Sequence, residues 1–220
     1  MSVHLKREID NLKQMMIAQC STVEEHLWQV VKAVENRDGT LARQVIDRDF
    51  EIDRKEVDIE EECLKMLALY QPVAIDLRYI ITALKINNDL ERIGDLAVNI
   101  ADAAEYLADH PPVEIPPTLE TIAERSQAMV HLSIDALVNL DCPLAYRVRH
   151  SDDIVDNLHE QVAEYVQTQI RRHLDQLESL IHLLSVSRNL ERIADHATNI
   201  AEDVIYLVEG HIIRHKKVDT

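Results

Sequence analysis

Three glycines in 220 residues leave little room for a nucleotide cradle or a glycine-rich phosphate loop. Aromatic residues make up only 4% of the chain. Outside one proline-rich stretch, no run alternates in the two-residue pattern of a half-buried strand. The three cysteines, Cys20, Cys63 and Cys142, are odd in number and widely spaced, with no Cys-x-x-Cys. They fit reduced thiols better than a disulfide framework. Positive charge is scarce: Lys and Arg total 23 against 40 Asp and Glu, a formal net charge of −17. That balance argues against nucleic acid or an anionic membrane surface as a partner held by net charge. The basic tail Arg214-His215-Lys216-Lys217 is too short to reverse it and is expected to complement the end of the last helix. No window approaches the roughly 20 apolar residues of a membrane span, and the N-terminus lacks a signal peptide's apolar core. A cytoplasmic protein without membrane insertion is the expectation. No Ser/His/Asp constellation or cysteine nucleophile stands out.

What the chain does contain is a duplication. Leu90-Glu91-Arg92-Ile93-Gly94-Asp95-Leu96-Ala97-Val98-Asn99-Ile100-Ala101 recurs as Leu190-Glu191-Arg192-Ile193-Ala194-Asp195-His196-Ala197-Thr198-Asn199-Ile200-Ala201, identical at nine of twelve positions. Asn36, Asp38, Leu41, Ala42, Val45, Asp49 and Asp53 recur at an offset of 103 as Asn139, Asp141, Leu144, Ala145, Val148, Asp152 and Asp156. A repeat of this period implies two similar halves. The break falls at Asp109-His110-Pro111-Pro112-Val113-Glu114-Ile115-Pro116-Pro117, which holds four of the six prolines and cannot be helix interior. The halves are therefore 1–109 and 110–220.

Composition is helical, rich in Leu, Ile, Ala, Glu and Arg. The punctuation predicts helices over 4–36, 40–69, 73–108, 117–140, 143–172 and 175–209. Turns fall at Asp38-Gly39, at Pro72 and at Asp141-Cys142-Pro143, the last with proline at a helix start. The fold class is all-α: two tandem, homologous three-helix bundles.

At about 100° per residue, Asp49, Asp53, Glu56 and Glu60 form one stripe of the second helix. Val45, Ile52 and Ile59 flank it on one side and Ile46, Val57 and Leu64 on the other, so the stripe is expected to face other helices. Glu91, Asp95, Asn99 and Asp102 prolong a row begun by Leu77, Ile81 and Leu84, and the second half repeats it with Glu191, Asp195, Asn199 and Glu202. Register ties the rows together. In an antiparallel hairpin, residues equidistant from the turn lie level. Positions 53 and 91, and 49 and 95, both centre on Pro72; 156 with 191, and 152 with 195, centre on His173-Leu174.

Four carboxylates brought together at low exposure need balancing by raised pKa values, basic side chains or metal ions. Arg92 and Arg192 point about 100° away from the acids on their helices. Carboxylate oxygens are hard ligands for iron, manganese, zinc, magnesium or calcium.

These residues resemble the PhoU family over nearly the whole length. The likeness rests on the twin Glu/Asp-x-x-x-Asp motifs, on Gln71-Pro72 followed by Asp76-Leu77-Arg78, and on Leu-Glu-Arg-Ile-Gly/Ala-Asp in both halves. The resemblance implies surface multinuclear iron or zinc clusters held by Asp49, Asp53, Glu91, Asp95, Asp152, Asp156, Glu191 and Asp195. It makes Asn99 and Asn199 further ligands or supporting groups. It also implies negative regulation of phosphate uptake and phosphate-starvation signalling, through the ATPase subunit of a phosphate ABC transporter and a phosphate-sensing histidine kinase. A homodimer is the expected assembly. Two departures bear on whether the clusters are equivalent: Ala194 stands where the family often repeats glycine, and His159 stands where Glu56 stands in the first half.

Two other readings compete. A carboxylate-bridged metal enzyme of the ferritin-like kind needs Glu-x-x-His on two helices, whereas Gly94 and Ala194 occupy the third places after Glu91 and Glu191. A structural helical scaffold would carry its acids incidentally. His182 follows Glu178 by four residues and His215 follows His211 by four, spacings more often met in surface groups than in ligands. Trp28, Tyr106 and Tyr206 are expected to pack.

Overall fold

The computed structural model describes residues 3–213, and every regular element among them is helical. The basic tail from Arg214 and the histidine at 215 lie outside these residues. Seven α-helices follow in order: α1 Val3–Asn36, α2 Gly39–Arg48, α3 Phe50–Tyr70, α4 Ala74–Asp109, α5 Pro117–Asn139, α6 Cys142–Arg172 and α7 Leu177–Glu209. No helix among them is long and apolar enough to cross a membrane.

The duplication repeats down to the turns. Arg37 and Leu140 both take left-handed backbone, at φ 54° and 52°, just after α1 and α5. The next residue's N–H then reaches back to close the helix, Asp38 to the Ala33 carbonyl at 2.9 Å and Asp141 to the Ala136 carbonyl at 3.0 Å. The same two aspartates cap the following helices, accepting from Leu41 N at 3.0 Å and Leu144 N at 2.9 Å. Arg37 also donates to the carbonyls of Leu107 and His110 at the end of α4.

The structure departs from the expected helix 40–69 at Asp49, which separates α2 from α3. No proline or glycine breaks the chain there. Asp49 N–H bonds Ile46 O at 3.3 Å and Ile52 N–H bonds Asp49 O at 2.8 Å. These three-residue bonds tighten one turn without ending the rod. Its counterpart Asp152 sits inside the unbroken α6. The helix expected over 175–209 begins instead as a 3₁₀ turn, Leu174–Gln176, before α7.

In the first half α1 packs against α2, α3 and α4; in the second α5 and α6 pack against α7. Ile52, Ile59, Met66, Ile80, Ile86, Leu90 and Ile93 are fully buried between these rods. The most extensive helix–helix contact joins the halves, α4 against α7. These two run antiparallel and cross with an internal two-fold. The Tyr106 hydroxyl donates to Glu178 at 2.7 Å, and at the equivalent place the Arg78 guanidinium lies over the Tyr206 ring at 5.8 Å. Tyr106 is also stacked between His110 and His182, with ring centroids 3.7 and 3.9 Å away. Trp28, expected to pack, is instead 56% exposed.

Candidate metal centre

Hairpin register places the acidic rows. Asn87 Nδ2 donates to the Glu56 carbonyl at 2.9 Å, which fixes α3 against α4 about the turn at Pro72. At the equivalent positions of the second half, the His159 ring nitrogen and the Ser187 hydroxyl share a hydrogen bond at 2.8 Å. Behind the acids the helices come close. A Cβ on Gly94 would lie 2.9 Å from Ile52 Cδ1. Ile52 falls between Asp49 and Asp53, and Gly94 lies beside Asp95, so this close contact sets the two acid-bearing stretches against each other. Among the described residues, however, no three first-half acids bring oxygens within 4.8 Å of one another.

The clearest convergence is in the second half. Asp152, Asp156 and Asp195 each offer a carboxylate oxygen, and all three atoms lie within 4.8 Å of one another. Burial, and then Asp195, push the Asp152 carboxyl up to about 6, against a hydrogen bond from Thr198 that pulls it down. Asp195 is likewise held at about 6, by burial and then by Glu191 and Asp156. Asp156 and Glu191 are raised too, chiefly by burial. In the first half Asp49 rises to about 6 through burial, then Asp53 and Asp95. Glu91 is raised by burial, then by Asp95, with Glu56 and Asp53 adding to it. Each row therefore feels the row on the facing helix. At this rim Asp49, Glu91, Asp95, Asp152 and Glu191 are half-buried while Asp53, Asp156 and Asp195 are exposed, so solvent screens part of the repulsion. The acids thus face the rim rather than the interior between helices that the sequence pattern leads one to expect.

Arg92 is not turned away from the acids as its sequence position implies. Its guanidinium bonds Asp95 at 2.9 Å and lies 3.4 Å from Glu91. The long side chain curls back along its own helix to reach both neighbours. The first-half acids thus already hold a cationic partner.

The two asparagines separate. Asn99 is exposed on α4. Asn199 turns across the junction, its Nδ2 donating to Asp89 Oδ1 at 3.3 Å. Asp89 is buried and also meets His196 Nδ1 at 2.7 Å. One α4 carboxylate therefore grips the α7 turn that carries Asp195, a contact the sequence reading missed. Its signal was a lone acid beside Ile86, Leu90 and Ile93 on the apolar side of α4. Glu202, at the end of the second row, is bonded by Arg149 at 2.9 Å. His182 belongs to the Tyr106 stack.

Comparison with known proteins follows the same lines. The family model described as the PhoU domain matches residues 16–104 and again 119–204. The chain is 39% identical over 214 residues to the phosphate-specific transport system accessory protein PhoU homolog of Aquifex aeolicus, covering 97% of each chain. Among solved structures, the crystal structure of PhoU from Pseudomonas aeruginosa superposes with a TM-score of 0.90 at 35% identity, covering 94% of this chain and 99% of that one. The phosphate transport system regulatory protein PhoU from Streptococcus pneumoniae gives 0.87 at 26% identity, covering 98% and 100%.

Proposed function

This chain belongs to the PhoU family, and from that premise we propose that it is a metal-carrying regulatory adaptor of phosphate homeostasis. The observation that carries the metal part is the Asp152–Asp156–Asp195 trio, with oxygens within 4.8 Å of one another and two of its carboxyls held near 6. A bound cation would supply positive charge to this trio, of which Asp152 is half-buried and Asp156 and Asp195 are exposed. Asp152, Asp156, Glu191 and Asp195 hold it in the second half, and Asp49, Asp53, Glu91 and Asp95 in the first. An all-oxygen donor set of this kind accepts iron, manganese, zinc, magnesium or calcium, and the choice of iron or zinc follows the family resemblance. Multinuclear iron or zinc clusters are the reading, one in each half, 1–109 and 110–220.

The adaptor part draws on the relatives, which are named as accessory proteins of phosphate-specific transport systems. In this reading the chain works in the cytoplasm, as a homodimer without catalytic activity of its own. It restrains phosphate uptake and phosphate-starvation signalling by contacts with the transporter's ATPase subunit and the sensor kinase. The negative surround disfavours a free phosphate ion as a direct ligand. Elemental mass spectrometry of untagged protein, beside a variant with Asp49, Glu91, Asp152 and Glu191 replaced by alanine, tests the metal part. Several iron or zinc ions per chain, lost in a variant that remains helical, support it; equal near-zero metal in both overturns it. Co-purification with the ATPase subunit and with the kinase tests the adaptor part separately.

A further inference from the structure

The outer face of α3 carries Phe50, Val57 and Leu64 at seven-residue spacing, 61%, 49% and 53% exposed. That spacing sets them in one ridge, about 10 Å apart along the axis. The sequence pattern leads one to expect helix partners for Val57 and Leu64, yet the fold leaves both open to solvent. Duplication supplies the control. The equivalent residues on α6, at the same offset of 103, are Asp153, Glu160 and Gln167, all exposed. Bundle packing therefore does not call for apolar residues on this face. A row of large apolar side chains kept in water in one copy and replaced by polar ones in the other marks a surface that meets something.

Charge identifies what it meets. Exposed Asp53 and Glu60 border the ridge on one side; Glu61 and Arg54, also exposed, border it on the other. A second copy of a chain carrying net −17 would set the same acids against these. A helix with apolar residues at matching spacing and Lys or Arg along its flanks complements both the ridge and its borders. We propose that the Phe50–Val57–Leu64 ridge of α3 is a docking surface for a basic amphipathic helix of a partner protein. The proposal gives the adaptor reading the chemistry of one partner contact, and rests on that reading only in needing a partner. It does not require a metal.

The test uses the full chain and a fluorescein-labelled synthetic helix of about 21 residues, with Leu at every seventh position flanked by Lys, read by fluorescence anisotropy. The variant F50D/V57E/L64Q installs the residues of the second half and adds two negative charges. Docking on the ridge predicts binding weakened about tenfold or more, despite the added acid. Equal or tighter binding by the variant means that the peptide responds only to net charge and overturns the proposal. So does a wild-type chain that does not bind the peptide. Hydrogen exchange on wild-type protein gives a readout independent of the variant's folding: the peptide should protect α3, and protection on α6 instead defeats the idea. Sedimentation closes the remaining route. A wild-type dimer that the triple variant turns into a monomer would make the ridge a self-interface and overturn the proposal.

Discussion

Ile52 and Gly94 are one half of a volume exchange whose other half is Val155 and Ala194. A methyl group on Gly94 would meet Ile52 Cδ1 at 2.9 Å and Cγ2 at 3.2 Å, and Ile52 has no exposed surface. At the equivalent contact the second half has alanine where the first has glycine, and valine, shorter by one methylene, where the first has isoleucine. The departure from the repeated glycine is thus compensated on the facing helix.

Gly94→Ala alone should therefore destabilise the protein by about 1 to 2 kcal/mol, overpacking outweighing the gain in helix propensity. Ile52→Val with Gly94→Ala should recover most of that loss. A denaturant double-mutant cycle measures the coupling, and an additive result would mean that the two side chains do not compete for the same space.

Cation binding should be steeply pH-dependent. Asp49, Asp152 and Asp195, held at about 6, must lose their protons to become ligands. Affinity should rise from about pH 5 to about pH 7 with proton release, measurable by calorimetry in buffers of different ionisation enthalpy. The metal-free protein runs the other way. These carboxyls titrate higher when folded than the usual 3.8. Their contribution to stability is present below about pH 4 and lost as the pH passes about 6. Asp152→Asn should raise the melting temperature of metal-free protein at neutral pH while weakening cation binding. A drop in that melting temperature would contradict the account.

Arg92 should act as a resident competitor for cations in the first half. Replacing it by alanine removes the contacts to Asp95 at 2.9 Å and Glu91 at 3.4 Å. Because the side chain is half-exposed, stability should change by less than about 1 kcal/mol. Metal affinity of the first half should increase, and titration of R92A with iron or zinc that matches wild type would refute the competition.

His26 offers a pH dependence away from the acidic rows. The ring is fully buried on α1, and neither nitrogen has a hydrogen-bond partner. Burial, and then Arg48 of α2, lower its pKa below the usual 6.5; Lys55 of α3 adds to this while Glu51 and Glu25 oppose it. A depressed folded-state pKa gives stability that is present above about pH 6.5 and lost as the pH falls. The equivalent position in the second half is Met129, so His26→Met is a natural replacement. It should stabilise the chain by about 1 to 3 kcal/mol and flatten unfolding curves between about pH 4 and pH 7. An unchanged pH profile in the variant would count against it.

Local signals carry far in this chain and then stop. Proline, glycine and the aspartate caps locate four of the six inter-helix breaks, hairpin register places a fifth at His173-Leu174, and helical periodicity finds the acidic stripes. The turn at Asp49 escapes because it is made by backbone bonds of ordinary helical residues. Periodicity also assigns a residue to a face without saying whether another helix covers that face. Val57 and Leu64 read as core-facing for that reason, and Trp28 as a packing residue. The acids are easier, since hairpin register converts sequence distance into height. Asp89 is harder: its partners His196 and Asn199 lie more than a hundred residues away, across a junction that no local pattern describes.

That junction has a consequence for assembly. Position 78 meets 206 and position 178 meets 106, so α4 and α7 contact each other as two copies of one helix would across an isologous dimer interface. The chain encloses within itself the pairing that a single half would make with a twin. The surface most suited by ancestry to self-recognition is already occupied, so an association of whole chains would have to use other faces of the bundles.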